Sequence, residues 1–164
     1  MVGAPIASRT EGSPSLSSFR PATKKTHPTF GVTLKEITRI NHVGLRVRDL
    51  DIARAFYEKL GFEFIGGPMG PEPVAIVEHP SGVNINFILN ASDNASSTNL
   101  LMDEKVKYTG FTHIALEIND VEAVKEQLGQ HEIEVTETVE YGGATFFFVR
   151  DPDANVIEFH KPAG

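Results

Sequence analysis

Between residues 39 and 62 the chain reads RINHVGLRVRDLDIARAFYEKLGF and changes periodicity once. Val43, Leu45 and Val47 alternate with His42, Gly44 and Arg46, the pattern of a strand with one face buried. Beyond Asp49 the apolar residues fall at Ile52, Ala53, Phe56, Tyr57 and Leu60, the stripe of an amphipathic helix. Asp49 stands where a carboxylate accepts the unpaired amides of a first helical turn, and Gly61 where a helix ends in a left-handed residue. Strand, capped helix and a second strand from Phe62 follow from the pattern alone.

The chain writes this stretch again over residues 111–135, as FTHIALEINDVEAVKEQLGQHEIEV. A shift of 71 residues places His42 on His113, Leu45 on Leu116, Asp49 on Asp120 and Phe62 on Ile133. Further on the shift slips by one. VAIVEHPSGVNINF at 74–87 then matches FFFVRDPDANVIEF at 146–159, so that Asn86 corresponds to Glu158. The repetition predicts two copies of one βαβββ unit, at about 37–90 and 108–162, within a single α+β domain over 34–164.

In the first copy the pattern predicts strands at 37–47, 62–66, 73–78 and 83–90 and a helix at 50–60. Gly66-Gly67-Pro68 and Pro80-Ser81-Gly82 supply its turns. The second copy predicts strands at 110–118, 133–140, 144–150 and 155–161 and a helix at 121–129. Here Gly142-Gly143 makes a hairpin and Asp151-Pro152-Asp153 the next turn. Residues 91–107 between the copies are polar (SDNASSTN), then apolar at Leu100-Leu101-Met102, and read as a linker or as a lid over a site.

Length and charge narrow the classes. The 164 residues suit one domain, and neither copy alone buries enough surface to be secure, so the copies pack on each other or on a partner chain. A formal charge of −7 argues against a nucleic-acid or anionic-membrane surface, and no apolar run approaches the ~20 residues of a membrane span. Residues 1–33 are rich in Ser, Thr, Pro and Ala with Glu11 their one acid, and lack the apolar core of a secretory signal. They predict a disordered tail on a cytoplasmic protein, with an organellar transit peptide as the alternative.

With no cysteine, a metal site must be built from histidines and carboxylates. The repeat sets His42 and His113 at equivalent ends of equivalent strands, and Glu158 on an otherwise apolar last strand beside Val156, Ile157 and Phe159. Two readings stay open: satisfied core residues, or two imidazoles and a carboxylate with open positions, the set used for Fe(II) and similar ions. His160, two residues past Glu158, shares its face as a supporting or acid–base group, or stands in water at the edge. Arg46 shares the face of His42, where Glu117 at the equivalent position could pair with it. His79, beside a Pro turn, takes no role in this reading.

The motifs NHVGLRVRDLDIARAFYEKLGF, THIALEI and DPDANVIEF resemble the vicinal oxygen chelate superfamily of glyoxalase I, bleomycin-resistance proteins and extradiol dioxygenases. The resemblance covers about 37–162. It implies paired modules forming a cup-shaped mixed sheet around one divalent ion (Fe, Mn, Ni, Co or Zn), with His42, His113 and Glu158 at ligand positions. It also implies a homodimer, with the first histidine of a site coming from one subunit. Arg46 and Asn90 match residues that hold glutathione in glyoxalase I, so the implied substrate is a small oxygenated molecule, such as a glutathione adduct, with Arg46, Asn86, Asn90 and His160 as the expected substrate-binding residues. At the fourth ligand position glyoxalase I has Glu; here it is Asn86, an amide that moves no proton. Glyoxalase I-like isomerisation with Glu158 as the catalytic group is the first reading. A dioxygenase with a two-His, one-Glu iron site, and a non-catalytic binding protein of the bleomycin-resistance type, are the alternatives.

Overall fold

The first copy folds as β1 (Val43–Arg46), α1 (Leu50–Lys59), β2 (Glu63–Met69), β3 (Val74–Glu78) and β4 (Asn84–Ile88). The second follows as β5 (His113–Glu117), α2 (Val121–Gln130), β6 (Glu137–Tyr141), β7 (Ala144–Arg150) and β8 (Val156–Lys161). This computed structural model describes residues 34–92 and 98–164. Of these, residues 39–164 belong to one compact unit and 34–38 to another. The tail expected at 1–33 lies outside the described residues, as do residues 93–97 of the expected linker. Each copy makes a four-stranded mixed sheet, ordered β1-β4-β3-β2 and β5-β8-β7-β6. The first and last strands of each copy run parallel and every other pair antiparallel. The α+β class and the two βαβββ modules are as the repeat predicts.

The repeat holds down to single hydrogen bonds. Asp49 and Asp120 cap α1 and α2, accepting from Ile52 N at 2.9 Å and Ala123 N at 3.0 Å. Both helices end in the same motif: Phe62 N donates to Tyr57 O, and Ile133 N to Leu128 O. The left-handed residue this requires is Gly61 (φ 88°) in the first copy and Glu132 (φ 57°) in the second. The β3–β4 and β7–β8 turns match as well, with His79 and Asp151 in one role. Ser81 N donates to His79 Nδ1 at 3.1 Å, and Asp153 N to Asp151 Oδ1 at 2.9 Å. His79, which takes no role from the sequence, is a turn residue.

Several boundaries differ from the sequence expectation, β5 among them, which spans His113–Glu117 where 110–118 is expected. Strand one begins at Val43, not 37, because its parallel partner β4 starts at Asn84 and leaves earlier residues nothing to pair with. Ile37 and Ile40 are accordingly exposed. Gly66-Gly67-Pro68 is no turn but an irregular part of β2, with register shifts against β3. An edge strand accommodates such a proline. A Cβ at Gly67 would come within 2.5 Å of Val74 O, so glycine is needed for that close approach. The strand expected from 133 starts at Glu137, since Ile133 closes the end of α2 instead.

The copies share one core. Tyr57, Phe62, Ile85 and Phe87 cluster with Leu128, Phe147, Val149 and Ile157. Each such side chain contributes about 1.5–3 kcal/mol when fully buried. The turn after β7 ties the copies together. Asp153 forms an ion pair with Arg48, whose Nη2 also donates to Pro152 O at 2.9 Å. Buried Tyr57 donates from its hydroxyl to Asp151 Oδ2 at 3.4 Å. Burial, and then the charge of Asp151, push the Tyr57 hydroxyl well above its usual pKa. The described end of the linker is pinned to the same turn: Asn99 Nδ2 donates to Ala154 O, and Arg150 pairs with Asp103 at 2.7 Å.

Candidate functional site

Strand alternation puts His113, Ala115 and Glu117 of β5 on the open face of the second sheet. β8 is in register with β5 so that Ala115 lies opposite Glu158 and Glu117 opposite His160. Glu158 is only 8% exposed, unusual for a carboxylate, and buried charges need partners. It has two. Its Oε2 is 2.9 Å from His113 Nε2 and its Oε1 is 2.7 Å from His160 Nδ1. On the other side β7 places Phe148 opposite Glu158 and Phe146 opposite His160, walling the pair with aromatic rings.

Two of these donors, His113 Nε2 and Glu158 Oε2, are spaced as ligands of one divalent ion would be. Two ligands each about 2.0–2.2 Å from one ion and about 90° apart lie roughly 3 Å from each other, the spacing of His113 Nε2 and Glu158 Oε2. The far nitrogen of His113 is held by Thr112 Oγ1 at 2.9 Å. His42 is held in the same manner, its Nδ1 lying 2.8 Å from Asn41 Oδ1. An amide oxygen only accepts, so Nδ1 carries the proton and Nε2 keeps the lone pair that a metal takes. Sequence reasoning missed Asn41 and Thr112, although they too are repeat-equivalent, each directly preceding its histidine.

The structure brings together His113, Glu158 and His160, but not His42. His42 is exposed on the first copy, its ring held by Asn41, and shares no hydrogen bond with the three. Among the described residues no group of three His, Cys, Asp or Glu side chains is arranged to hold an ion. Arg46 and Asn90 do meet: Arg46 Nε donates to Asn90 Oδ1 at 2.8 Å, and Asn90 Nδ2 to Glu72 Oε1 at 2.6 Å. Arg46 is exposed, so the pairing with Glu117 weighed from the sequence is replaced by this Asn90–Glu72 chain. Asn86 is half-buried on β4, between Gly44 and Ile76. A cavity of about 440 Å³ between the end of α1 and β5 includes Phe62, His79, Glu117 and Leu128 but none of His42, His113 and Glu158. The imidazole–carboxylate pair thus lies outside this cavity.

Comparison with known proteins agrees with the architecture. The model of the Glyoxalase/Bleomycin resistance protein/Dioxygenase superfamily matches residues 39–159. A mitochondrial methylmalonyl-CoA epimerase from Bos taurus is 28% identical over 122 residues, covering 70% of this chain and 65% of that protein. The chain thus spans about 65% of the length of the curated relative it matches. The crystal structure of a glyoxylase/bleomycin resistance protein/dioxygenase domain from Frankia sp. EAN1pec superposes with a TM-score of 0.61 at 23% identity, covering 76% of this chain and 98% of the other. A variant of the fosfomycin resistance protein FosX from Listeria monocytogenes, complexed with Mn(II) and 1S,2S-dihydroxypropylphosphonic acid, gives 0.56 at 20% identity, covering 76% and 90%. At these identities the two structures speak for the fold.

Proposed function

The chain belongs to the Glyoxalase/Bleomycin resistance protein/Dioxygenase superfamily, and within it we propose a metal-dependent enzyme that moves a proton next to a carbonyl of a small oxygenated substrate. The observation that carries this reading is the buried Glu158 carboxylate 2.9 Å from His113 Nε2, on an open sheet face. His113, Glu158 and His42 would hold the ion. When bound, a divalent ion polarises a substrate carbonyl as a Lewis acid, which acidifies the neighbouring C–H. Glu158 accepts that proton at a carboxylate oxygen and returns it to carbon. Arg46, which keeps its remaining guanidinium N–H groups outside the bond to Asn90, meets an anionic group of the substrate.

Return of the proton to the adjacent carbon is glyoxalase-like isomerisation, and one base suffices. Return to the opposite face of the same carbon is epimerisation, which the bovine relative's name favours. Inversion needs a second proton carrier, and Asn86 is not one. On the open face of the first sheet Glu78 and Glu63 lie opposite each other on β3 and β2, and Asn84 Nδ2 holds Glu78 at 3.1 Å. A second reading, an Fe(II) dioxygenase, draws on the same two histidines and one carboxylate. The word mitochondrial in the bovine relative's name favours the organellar alternative for the acid-poor tail over the cytoplasm.

Metal analysis tests the common premise. Protein purified from metal-supplemented medium should carry near one divalent ion per chain, and Glu158→Ala should lose it. Unchanged metal content in Glu158→Ala would sink the assignment.

A further inference from the structure

Both oxygens of Glu158 are engaged, Oε2 facing His113 and Oε1 accepting from His160 Nδ1. His160 in turn lies flat on Phe146, the ring centroids 5.4 Å apart and the planes 4° from parallel. Phe146 meets Phe148 edge-on at 6.0 Å, and Phe148 meets His113 edge-on at 5.9 Å. The contacts close on themselves: carboxylate, imidazole, phenyl, phenyl, imidazole, and back to the carboxylate.

The first copy shows what this ring is for. At the positions equivalent to Phe146, Phe148, Glu158 and His160 it has Val74, Ile76, Asn86 and Ile88. Where the carboxylate is missing, the donor and its aromatic platform are missing too. A structural role in the fold would have called for them in both copies, since both sheets have the same order and pairing.

We propose that His160 is a positioning residue for Glu158, with Phe146 as its platform, an inference that rests on the metal-centre reading above. The terminal torsion of a glutamate is broad and nearly two-fold, so a free carboxylate presents either oxygen or both. The Nδ1–H of His160 takes Oε1 and leaves Oε2 for the ion beside His113 Nε2. Stacking on Phe146 keeps the imidazole plane from turning away. His160 acts through Glu158 and itself neither binds the ion nor touches the substrate.

The test is Mn(II) titration of the metal-stripped full chain by calorimetry, with the thermal midpoint recorded for each variant. His160→Phe keeps the ring on Phe146 but has no donor, and should weaken Mn(II) binding about 10–100-fold with the fold intact. His160→Asn restores an N–H near the position of Nδ1 and should recover most of that loss. If the phenyl ring is not accommodated, His160→Ala serves in its place. Wild-type Mn(II) affinity in a folded His160→Phe or His160→Ala overturns the inference, as does failure of His160→Asn to improve on them. If instead the wild-type chain binds no Mn(II), the metal-centre reading itself is what fails.

Discussion

Asn86 decides which chemistry the proposed centre supports. It lies on β4 between Gly44 and Ile76, and its side-chain amide makes no hydrogen bond among the described residues. Gly44 leaves open space beside it, since a Cβ built there meets nothing within 4 Å, so a longer side chain fits at 86. If the reaction is glyoxalase-like, Glu158 moves the proton alone, and one acid–base group fewer costs about 10²–10⁴-fold. Methylglyoxal–glutathione activity should then be weak in the native protein and rise in Asn86→Glu. If the centre activates oxygen, the Fe(II)-loaded native protein should consume O2 with a catecholic or enolic substrate, and Asn86→Glu should suppress this by filling a coordination position. Assaying both proteins on both substrates separates the readings, and inactivity of both proteins on both would leave the metal site without either mechanism.

At the scale of elements, the second copy repeats the backbone of the first without its glycines. Glu132 and Ala154 sit at φ 57° and 62°, where the first copy has Gly61 and Gly82 at 88° and 89°. A side chain in the left-handed region is strained, and only backbone atoms of Ala154 are used, by Arg150 and Asn99. Glu132→Gly and Ala154→Gly should each stabilise the fold by about 0.5–1 kcal/mol, raising the thermal midpoint additively. A lower midpoint in either would show that strain is not what these residues contribute. The neighbouring Asp151 gives a pH dependence. Burial raises its pKa above the ordinary value, against the pull of Asn155 and the amides of Asn155 and Asp153. The folded state therefore holds a proton that the unfolded chain releases first. Stability from this group is present at low pH and lost as pH rises through the folded pKa. Compared with Asp151→Asn, which does not titrate, the wild type should gain relative stability on acidification from neutral pH towards pH ~4. A gap in midpoint that stays constant with pH would contradict this.

For the whole molecule, the repeat made most of the fold legible: caps, helix ends and strand order can be copied from one half to the other. It also made His113, Glu158 and His160 legible as one face, because they alternate on paired strands. Left-handed Glu132 and Ala154 were hidden, since nothing but alignment to Gly61 and Gly82 marks them. The aromatic platform was hidden as well, because FFFV reads as core until the register shows Phe146 and Phe148 on the open face and Phe147 beneath. Nor does spacing say whether two equivalent strand ends meet within a chain. In this structure His42 stands apart from His113 and Glu158; under the proposed metal centre, the expected homodimer has a second copy of the chain supplying the third ligand. Mixed subunits test it. His42→Ala and Glu158→Ala chains each lack a complete site as homodimers, yet a heterodimer pairs the intact His42 of one with the intact His113 and Glu158 of the other. Co-refolding the two variants should therefore restore about one ion per four chains by random pairing, with two-fold symmetry giving one good site per heterodimer. If every site were built within one chain, the mixture would bind no more metal than its parts. Sedimentation at micromolar concentration adds the second criterion: a monomer that still holds its ion would rule out sites shared between subunits.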